Sequence, residues 1–174
     1  MEQENNSATL PEFWLRGPVD GIPALLQPAA HALLQSSEEV TRYLVGFPEE
    51  QLWARPAGRA SVGFHLHHLT GVLDRMLTYS KGEPLSEKQL LYLQNEGNEN
   101  ERSNSSELAA AFQTKVTEAL EYFKKVSDAT LTAPRTVGRK KLPSTVIGLL
   151  FHASEHSQRH IGQLLVTVSI LKQE

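Results

Sequence analysis

The sequence predicts an all-α fold, a four-helix bundle with a short extended lead-in at its N terminus. Four long segments carry apolar residues at intervals of three and four, the period of an amphipathic helix. Proline and glycine separate these segments, and no segment alternates convincingly as a strand would. At 174 residues the chain is long enough for one domain with a substantial core. We therefore expect a lead-in over residues 1–21 that packs on the bundle, and a single bundle domain over residues 22–174.

The lead-in and the first helix are defined by proline and glycine. These residues recur over residues 1–21, where Phe13 and Trp14 are expected to anchor the segment on the bundle. A helix is predicted from residue 23 or 28 to about residue 45, where Gly-Phe-Pro ends it. Its core stripe consists of Leu26, Ala30, Leu33, Ser37, Val40 and Leu44.

The second helix is predicted over residues 61–80, with Ser61 as its N-cap. Its core face consists of Val62, Leu66, Leu69, Leu73, Met76 and Leu77. A short amphipathic turn over residues 85–93 follows. The Asn- and Glu-rich stretch 95–105 has too few apolar residues to pack on a core, and we expect a mobile loop there.

The third helix is predicted to begin at Ser106, as its cap, and to run to about Val126. Residues 130–143 are interpreted as an irregular or hairpin-like connector. This connector holds a basic run, which is either a solvated loop, the favoured interpretation, or an anion site near the N terminus of the following helix. The last helix is predicted over residues 144–171.

Charge and composition exclude several classes of protein. The chain has 17 Lys and Arg against 20 Asp and Glu, a net charge of −3, which argues against nonspecific binding to nucleic acid. It has no cysteine, so a disulfide framework is excluded. The first residues are acidic and polar, unlike a signal peptide, and the longest apolar stretches, such as 146–151, fall far short of the roughly 18 residues of a membrane span. We expect a cytoplasmic protein with no nucleic-acid or membrane partner.

Histidine is the best clue to function. Of the seven histidines, all but His31 lie in two clusters, over residues 65–68 and 152–160. Imidazole is the commonest metal ligand, and its unperturbed pKa lies near neutrality, so histidines gathered in apolar segments indicate a site. Because cysteine is absent, a metal here must be bound by nitrogen and oxygen.

Spacing places two of these histidines on one face. His156 and His160 are four residues apart on the core side of the last helix, a common helical chelate that needs a further ligand from elsewhere. The second helix can supply it, and the helical wheel favours His65, nearest the core, over His68 at the edge of that face; His67 points away. The alternative, a set of hydrogen-bonded core histidines without a metal, stays open.

Other residues are weaker candidates. Arg75 and Tyr79 share a face with His68 and could meet an anionic substrate, although a surface ion pair and an interface aromatic are the favoured interpretations. His65 and His152 are candidates to line a pocket or to orient metal ligands through hydrogen bonds. Glu155 precedes His156, but the wheel turns it away from the metal face, which makes it a poor candidate base.

Two motifs resemble those of the DinB/YfiT-like four-helix-bundle metalloproteins. The first is Ser61-Val62 followed by the doubled histidine of His67-His68-Leu69, and the second is His156-x-x-x-His160-x-Gly162-Gln163. The resemblance runs over nearly all of residues 22–174. It implies that His68, His156 and His160 bind one divalent metal, in preference to the His65 favoured by the wheel.

The match has departures from the family pattern. Ala60 replaces the aromatic residue that often precedes the serine, and Ile161 replaces the usual arginine after the last histidine. Neither change removes a ligand. We expect Gly162 to let a neighbouring helix approach, or else to be a glycine that the long helix tolerates.

The resemblance also implies a function. Three histidines suit zinc or nickel and leave an open position for a thiol or a water molecule. The expected activity is transfer of a low-molecular-weight thiol to an electrophilic substrate. A metal-dependent hydrolase and a noncatalytic, stress-related metal-binding bundle are the alternatives. The resemblance suggests a homodimer, for which Phe13, Trp14, Trp53 and Tyr92 offer aromatic surface.

Overall fold

The computed structural model describes residues 10–99 and 103–173, and it confirms the predicted helical bundle. The helices are α1 (Gln27–Leu44), α2 (Val62–Lys81), α3 (Glu87–Asn95), α4 (Ser105–Phe123) and α5 (Val146–Leu171). An antiparallel hairpin of β1 (Pro134–Val137) and β2 (Leu142–Thr145) precedes α5. Within the described ranges, no helix is both long enough and apolar enough to cross a membrane.

The bundle consists of α1, α2, α4 and α5, and each of these helices packs on two others. The neighbouring pairs are α2 with α5, α5 with α1, α1 with α4, and α4 with α2. Fully buried side chains from all four helices meet in one core, including Leu33, Leu66, Phe112 and Leu164. The two helices that carry the histidine clusters, α2 and α5, are therefore direct neighbours.

The helix ends are close to the predicted ones, with one wrong cap. Ser61 caps α2 as predicted, because its hydroxyl accepts a hydrogen bond from the backbone N–H of Phe64 at 3.1 Å. The cap of α4 is Asn104 and not Ser106, since the Asn104 side chain accepts from the N–H of Glu107 at 2.8 Å. Asn104 lies in the polar stretch that was interpreted as loop, and asparagine is as good an N-cap as serine.

A fifth helix replaces the short amphipathic turn predicted over residues 85–93. Ser86 and Gln89 form a capping box at the start of α3, in which each side chain binds the backbone of the other residue. The helix packs against α2, outside the four-helix core. The polar stretch predicted as a mobile loop is therefore anchored at its start, and its residues 100–102 lie outside the described residues.

The connector before α5 is hairpin-like, as predicted, and it corrects the expectation of a chain without strands. Its two strands have four residues each, paired from Pro134 with Thr145 to Val137 with Leu142. Arg135 donates through Nε to the carbonyl of Ser80 at 2.7 Å, which fixes the hairpin to the end of α2. The basic residues 139–141 are exposed.

The described part of the lead-in, residues 10–21, contacts α1. The backbone N–H of Phe13 donates to the Gln35 side chain at 3.1 Å, and Arg16 forms two hydrogen bonds with Glu38, at 2.8 and 2.9 Å. Trp14, the second expected anchor, is 63% exposed. The division into a lead-in and a bundle domain at residue 21 stays a prediction, and residues 1–9 lie outside the described residues.

Candidate metal centre

Packing of α2 against α5 brings three histidines together. His68 lies across from His156, with their Nε2 atoms 3.0 Å apart, and its ring centroid is 4.5 Å from that of His160. His156 and His160, one turn apart on α5, have ring centroids 4.6 Å apart. Each of the three offers a nitrogen atom within 4.8 Å of the other two. This group could hold one metal ion.

His65, which the helical wheel favoured, lies beside the group. It is 1% exposed, and its Nδ1 lies 3.0 Å from Nδ1 of His160. This contact uses Nδ1 of His160, which leaves Nε2 of that ring for a metal. The wheel was right that His65 is the more deeply buried of the two, but His68 is the histidine of α2 that faces both His156 and His160.

Burial keeps His65, His156 and His160 uncharged at neutral pH. Burial, followed by repulsion from His68, lowers the pKa of His160 to about 3 and the pKa values of His65 and His156 to about 4. Neutral imidazoles present nitrogen lone pairs, which a metal ligand requires. Nδ1 of His156 has no hydrogen-bond partner within the described ranges, so His156 meets the cluster through Nε2. The donor set therefore fits a divalent ion that prefers nitrogen.

A buried carboxylate that the sequence interpretation missed contacts the cluster. Glu96, just past the end of α3, is 6% exposed and accepts a hydrogen bond from Nδ1 of His68 at 2.8 Å. Its other oxygen binds the guanidinium of Arg75. Arg75 is 7% exposed, so the expectation of a surface ion pair at Arg75 is wrong. Composition gave no signal for Glu96, because the surrounding stretch is as polar as a loop.

Aromatic packing fixes the ring of His68 from the other side. Phe64, one turn earlier on α2, stacks on it with ring centroids 5.2 Å apart and planes 13° from parallel. His68 is therefore held by Phe64 on its face and by Glu96 on its edge. Tyr79, the other residue expected on this face, is half-buried further along α2.

A second group of ligand atoms, from His152, Glu155 and His156, shares one residue with the first. Glu155 accepts from Nδ1 of His152 at 2.8 Å and binds the guanidinium of Arg159 through both oxygens, at 2.7 and 2.5 Å. A cation in this group would compete with Arg159 for the same carboxylate. The side chain of His152 is also 46% exposed, which places it at the outer edge of the cluster. The group of His68, His156 and His160 is the better candidate for a metal site.

The family model of the DinB superfamily matches residues 32–164, most of the chain and all three of these histidines. The chain belongs to the DinB superfamily. Comparison with curated proteins finds no match.

Solved structures share the DinB fold of this chain. A protein from Streptococcus pneumoniae aligns with a TM-score of 0.62 and 14% identity, over 83% of this chain and 88% of that one. An uncharacterised protein from Escherichia coli UTI89 aligns with a TM-score of 0.61 and 17% identity, over 87% of this chain and 97% of that one. At these identities the likeness concerns the fold alone.

Gly162, part of the second DinB-like motif, does not make room for a neighbouring helix. It is exposed, and a Cβ added there would meet no atom within 4 Å. The expectation of a close helix approach is therefore wrong, and Gly162 is a glycine that α5 tolerates.

One groove on the surface of this DinB superfamily protein lies beside α2, close to the histidine cluster. A groove of about 260 Å³ is lined by Arg55, Arg59 and Phe64, among others, and so begins at the ring that stacks on His68. Gly97 also lines this groove, so the start of the polar stretch borders it. The basic connector does not border this groove. It contacts α2 at Ser80, which lies about 18 Å from His68 along the helix at 1.5 Å per residue.

Proposed function

We propose that this DinB superfamily protein binds one divalent ion, zinc or nickel, through His68, His156 and His160. The observation that carries the proposal is the convergence of three imidazoles, from two packed helices, with nitrogen atoms within 4.8 Å of one another. Nitrogen donors of intermediate softness suit zinc and nickel. Phe64 stacks on the ring of His68, and Glu96 accepts a hydrogen bond from its Nδ1.

We further propose that the site is catalytic and transfers a low-molecular-weight thiol to an electrophile. Three protein ligands would leave a coordination position open on the ion, and a divalent ion held by these histidines would lower the pKa of a thiol or water that entered it. In the transfer, the thiol releases its proton to solvent and its sulfur forms a bond to the electrophilic carbon. The leaving group departs with the electron pair of the broken bond. The chain has no cysteine, so the thiol must come from another molecule.

The groove beside Phe64 supports an anionic thiol as the substrate. Arg55 and Arg59 line it, and both guanidinium groups are suited to bind carboxylates. Arg55 also donates to the carbonyl of Gly97 at 3.2 Å, which fixes the wall of the groove. Phe64 lines the same groove and stacks on His68, so a thiol whose carboxylate binds these arginines would lie beside the proposed metal centre. Such thiols are abundant in a reducing cytoplasm, the location we expect for the protein.

Two alternatives remain. A metal-dependent hydrolase would use water at the same open position, so the histidines do not separate hydrolysis from thiol transfer. A noncatalytic metal-binding bundle needs the three histidines and no groove. The arginine-lined groove favours the transferase over both.

The experiment supplies a model electrophile to zinc-loaded or nickel-loaded protein with glutathione, bacillithiol, mycothiol or no thiol, and measures adducts and hydrolysis products. The transferase proposal predicts thiol-dependent adducts that are lost in His156→Ala and kept in His31→Ala, a matched change on α1 where His31 contacts the carbonyl of Gly17. Turnover without a thiol would support the hydrolase. Absence of any metal-dependent turnover across a broad set of electrophiles would support the noncatalytic protein.

A further inference from the structure

A buried polar chain joins α2 to the residue that follows α3. Its members are Arg75, Glu96 and His68, in which one oxygen of the Glu96 carboxylate binds the Arg75 guanidinium and the other accepts from Nδ1 of His68 at 2.8 Å. Arg75 and Glu96 are 7% and 6% exposed. A carboxylate is rarely buried this far without a partner for each oxygen, and here both oxygens have one.

The contact with Glu96 determines which nitrogen of His68 carries the proton. An ionised carboxylate only accepts hydrogen bonds, so Nδ1 of His68 must be the donor. In a neutral imidazole this leaves the lone pair on Nε2, the atom that lies 3.0 Å from Nε2 of His156. The other oxygen of Glu96 is paired with the Arg75 guanidinium, which favours the ionised carboxylate.

A glycine on α2 makes room for this carboxylate. Gly71 lies one turn after His68 and one turn before Arg75. A Cβ built on Gly71 would overlap the Glu96 carboxylate and would lie 2.7 Å from both the Arg75 guanidinium and the Tyr92 ring. Any side chain at this position must displace Glu96 or its neighbours. Gly71 therefore permits the contact between Glu96 and His68.

We propose that Glu96 is a positioning residue for the metal centre. It holds His68 with the proton on Nδ1 and the Nε2 lone pair toward His156, and Gly71 provides the space for this contact. The proposal rests on the proposed metal binding by His68, His156 and His160. A carboxylate hydrogen-bonded to a histidine ligand fixes the ring and makes its other nitrogen more basic. Arg75 has a supporting role, since it holds the second oxygen and keeps the carboxylate directed at His68.

The first test needs no metal. Long-range ¹H–¹⁵N NMR of metal-free protein at neutral pH reports which ring nitrogen of His68 carries the proton. We expect the Nδ1–H tautomer in the wild type, and a shift toward Nε2–H in Glu96→Ala and in Gly71→Ala. The matched control is Glu99→Gln, an exposed glutamate three residues further on, which should leave the His68 signals unchanged. An Nε2–H tautomer in the wild type, or no change in both variants, would overturn the proposal.

The second test measures zinc affinity by competition with a chromophoric chelator. We expect Glu96→Gln, which retains the volume and loses the charge, to weaken zinc binding about 10- to 100-fold, and Gly71→Ala to weaken it in the same direction. Glu99→Gln should bind zinc as the wild type does. Circular dichroism of each metal-free variant checks that it folds, and Glu96→Met, which has no oxygen acceptor, replaces Glu96→Ala in the NMR test if the alanine variant does not.

The two proposals fail in different ways. If Glu96→Gln and Gly71→Ala bind zinc as tightly as the wild type while His156→Ala loses it, the role of Glu96 is wrong and the metal centre stands. If His156→Ala also keeps full affinity, the ligand set is wrong, and the tautomer measured on metal-free protein then decides the role of Glu96 alone.

Discussion

Replacing Arg75 with methionine should destabilise the metal-free protein by about 3 kcal/mol. Arg75 and Glu96 are both more than nine-tenths buried, so the change leaves a carboxylate in the interior without its cationic partner. Breaking a buried pair in this way costs about 3 to 5 kcal/mol. The lower end applies here, because His68 still donates to Glu96. A double variant, Arg75→Met with Glu96→Met, should lose less than the sum of the two single variants, since neither charge is then left alone.

Urea unfolding at pH 7, followed by circular dichroism, measures these free energies of unfolding. The matched control is Arg42→Met on α1, where the ion pair with Glu39 has an N–O distance of 3.5 Å and the arginine side chain is 49% exposed. Such a pair contributes about 0 to 1 kcal/mol. If Arg75→Met costs no more than Arg42→Met, the interior ion pair described for Glu96 is wrong, and the surface ion pair expected from the sequence is right.

Further predictions concern pH, helix stability and assembly. The fold lowers the pKa of His65 from 6.5 to about 4, so the unfolded chain binds the proton more readily than the folded one. The contribution of His65 to the stability of metal-free protein is therefore fully present above pH 6.5. About 2 kcal/mol of it should be lost between pH 7 and pH 5. Urea unfolding of His65→Gln should show a loss smaller by that amount, and equal losses would contradict the burial assigned to this ring. Gly162→Ala should stabilise the protein by about 1 kcal/mol in the same assay, because alanine favours a helix and the added methyl has open space; a destabilised variant would contradict that open surface. Light scattering should give the mass of a homodimer at micromolar concentration, with Trp14, 63% exposed, on the contact surface, whereas a monomer would remove this expectation.

The sequence was sufficient to bring together the histidines of α5 but not to decide which histidine of α2 lies across from them. His156 and His160 are four residues apart, so any helix places them on one face. The choice between His65 and His68 depends on how α2 is rotated against α5, and a helical wheel contains no neighbouring helix. Only the resemblance to the DinB/YfiT-like family pointed to His68, the histidine of α2 that faces both His156 and His160.

The polar neighbours of the cluster could not be predicted for a different reason. Arg75 lies at the edge of the core face of α2, and whether that edge meets solvent depends on α3, which the sequence pattern presented as a short turn. Glu96 is buried because α3 ends beside Gly71, a contact between residues 25 positions apart. Local composition describes neither contact, since both arise from tertiary packing.

Metal content is the most direct test of the centre. Elemental analysis of purified protein, loaded with zinc or nickel and then freed of unbound ion, should give about one ion per chain for the wild type and for His152→Ala. The triple variant His68→Ala, His156→Ala, His160→Ala should retain none. A triple variant that keeps a full equivalent of metal, or a His65→Ala variant that loses it while the triple variant does not, would contradict the assignment of these three histidines.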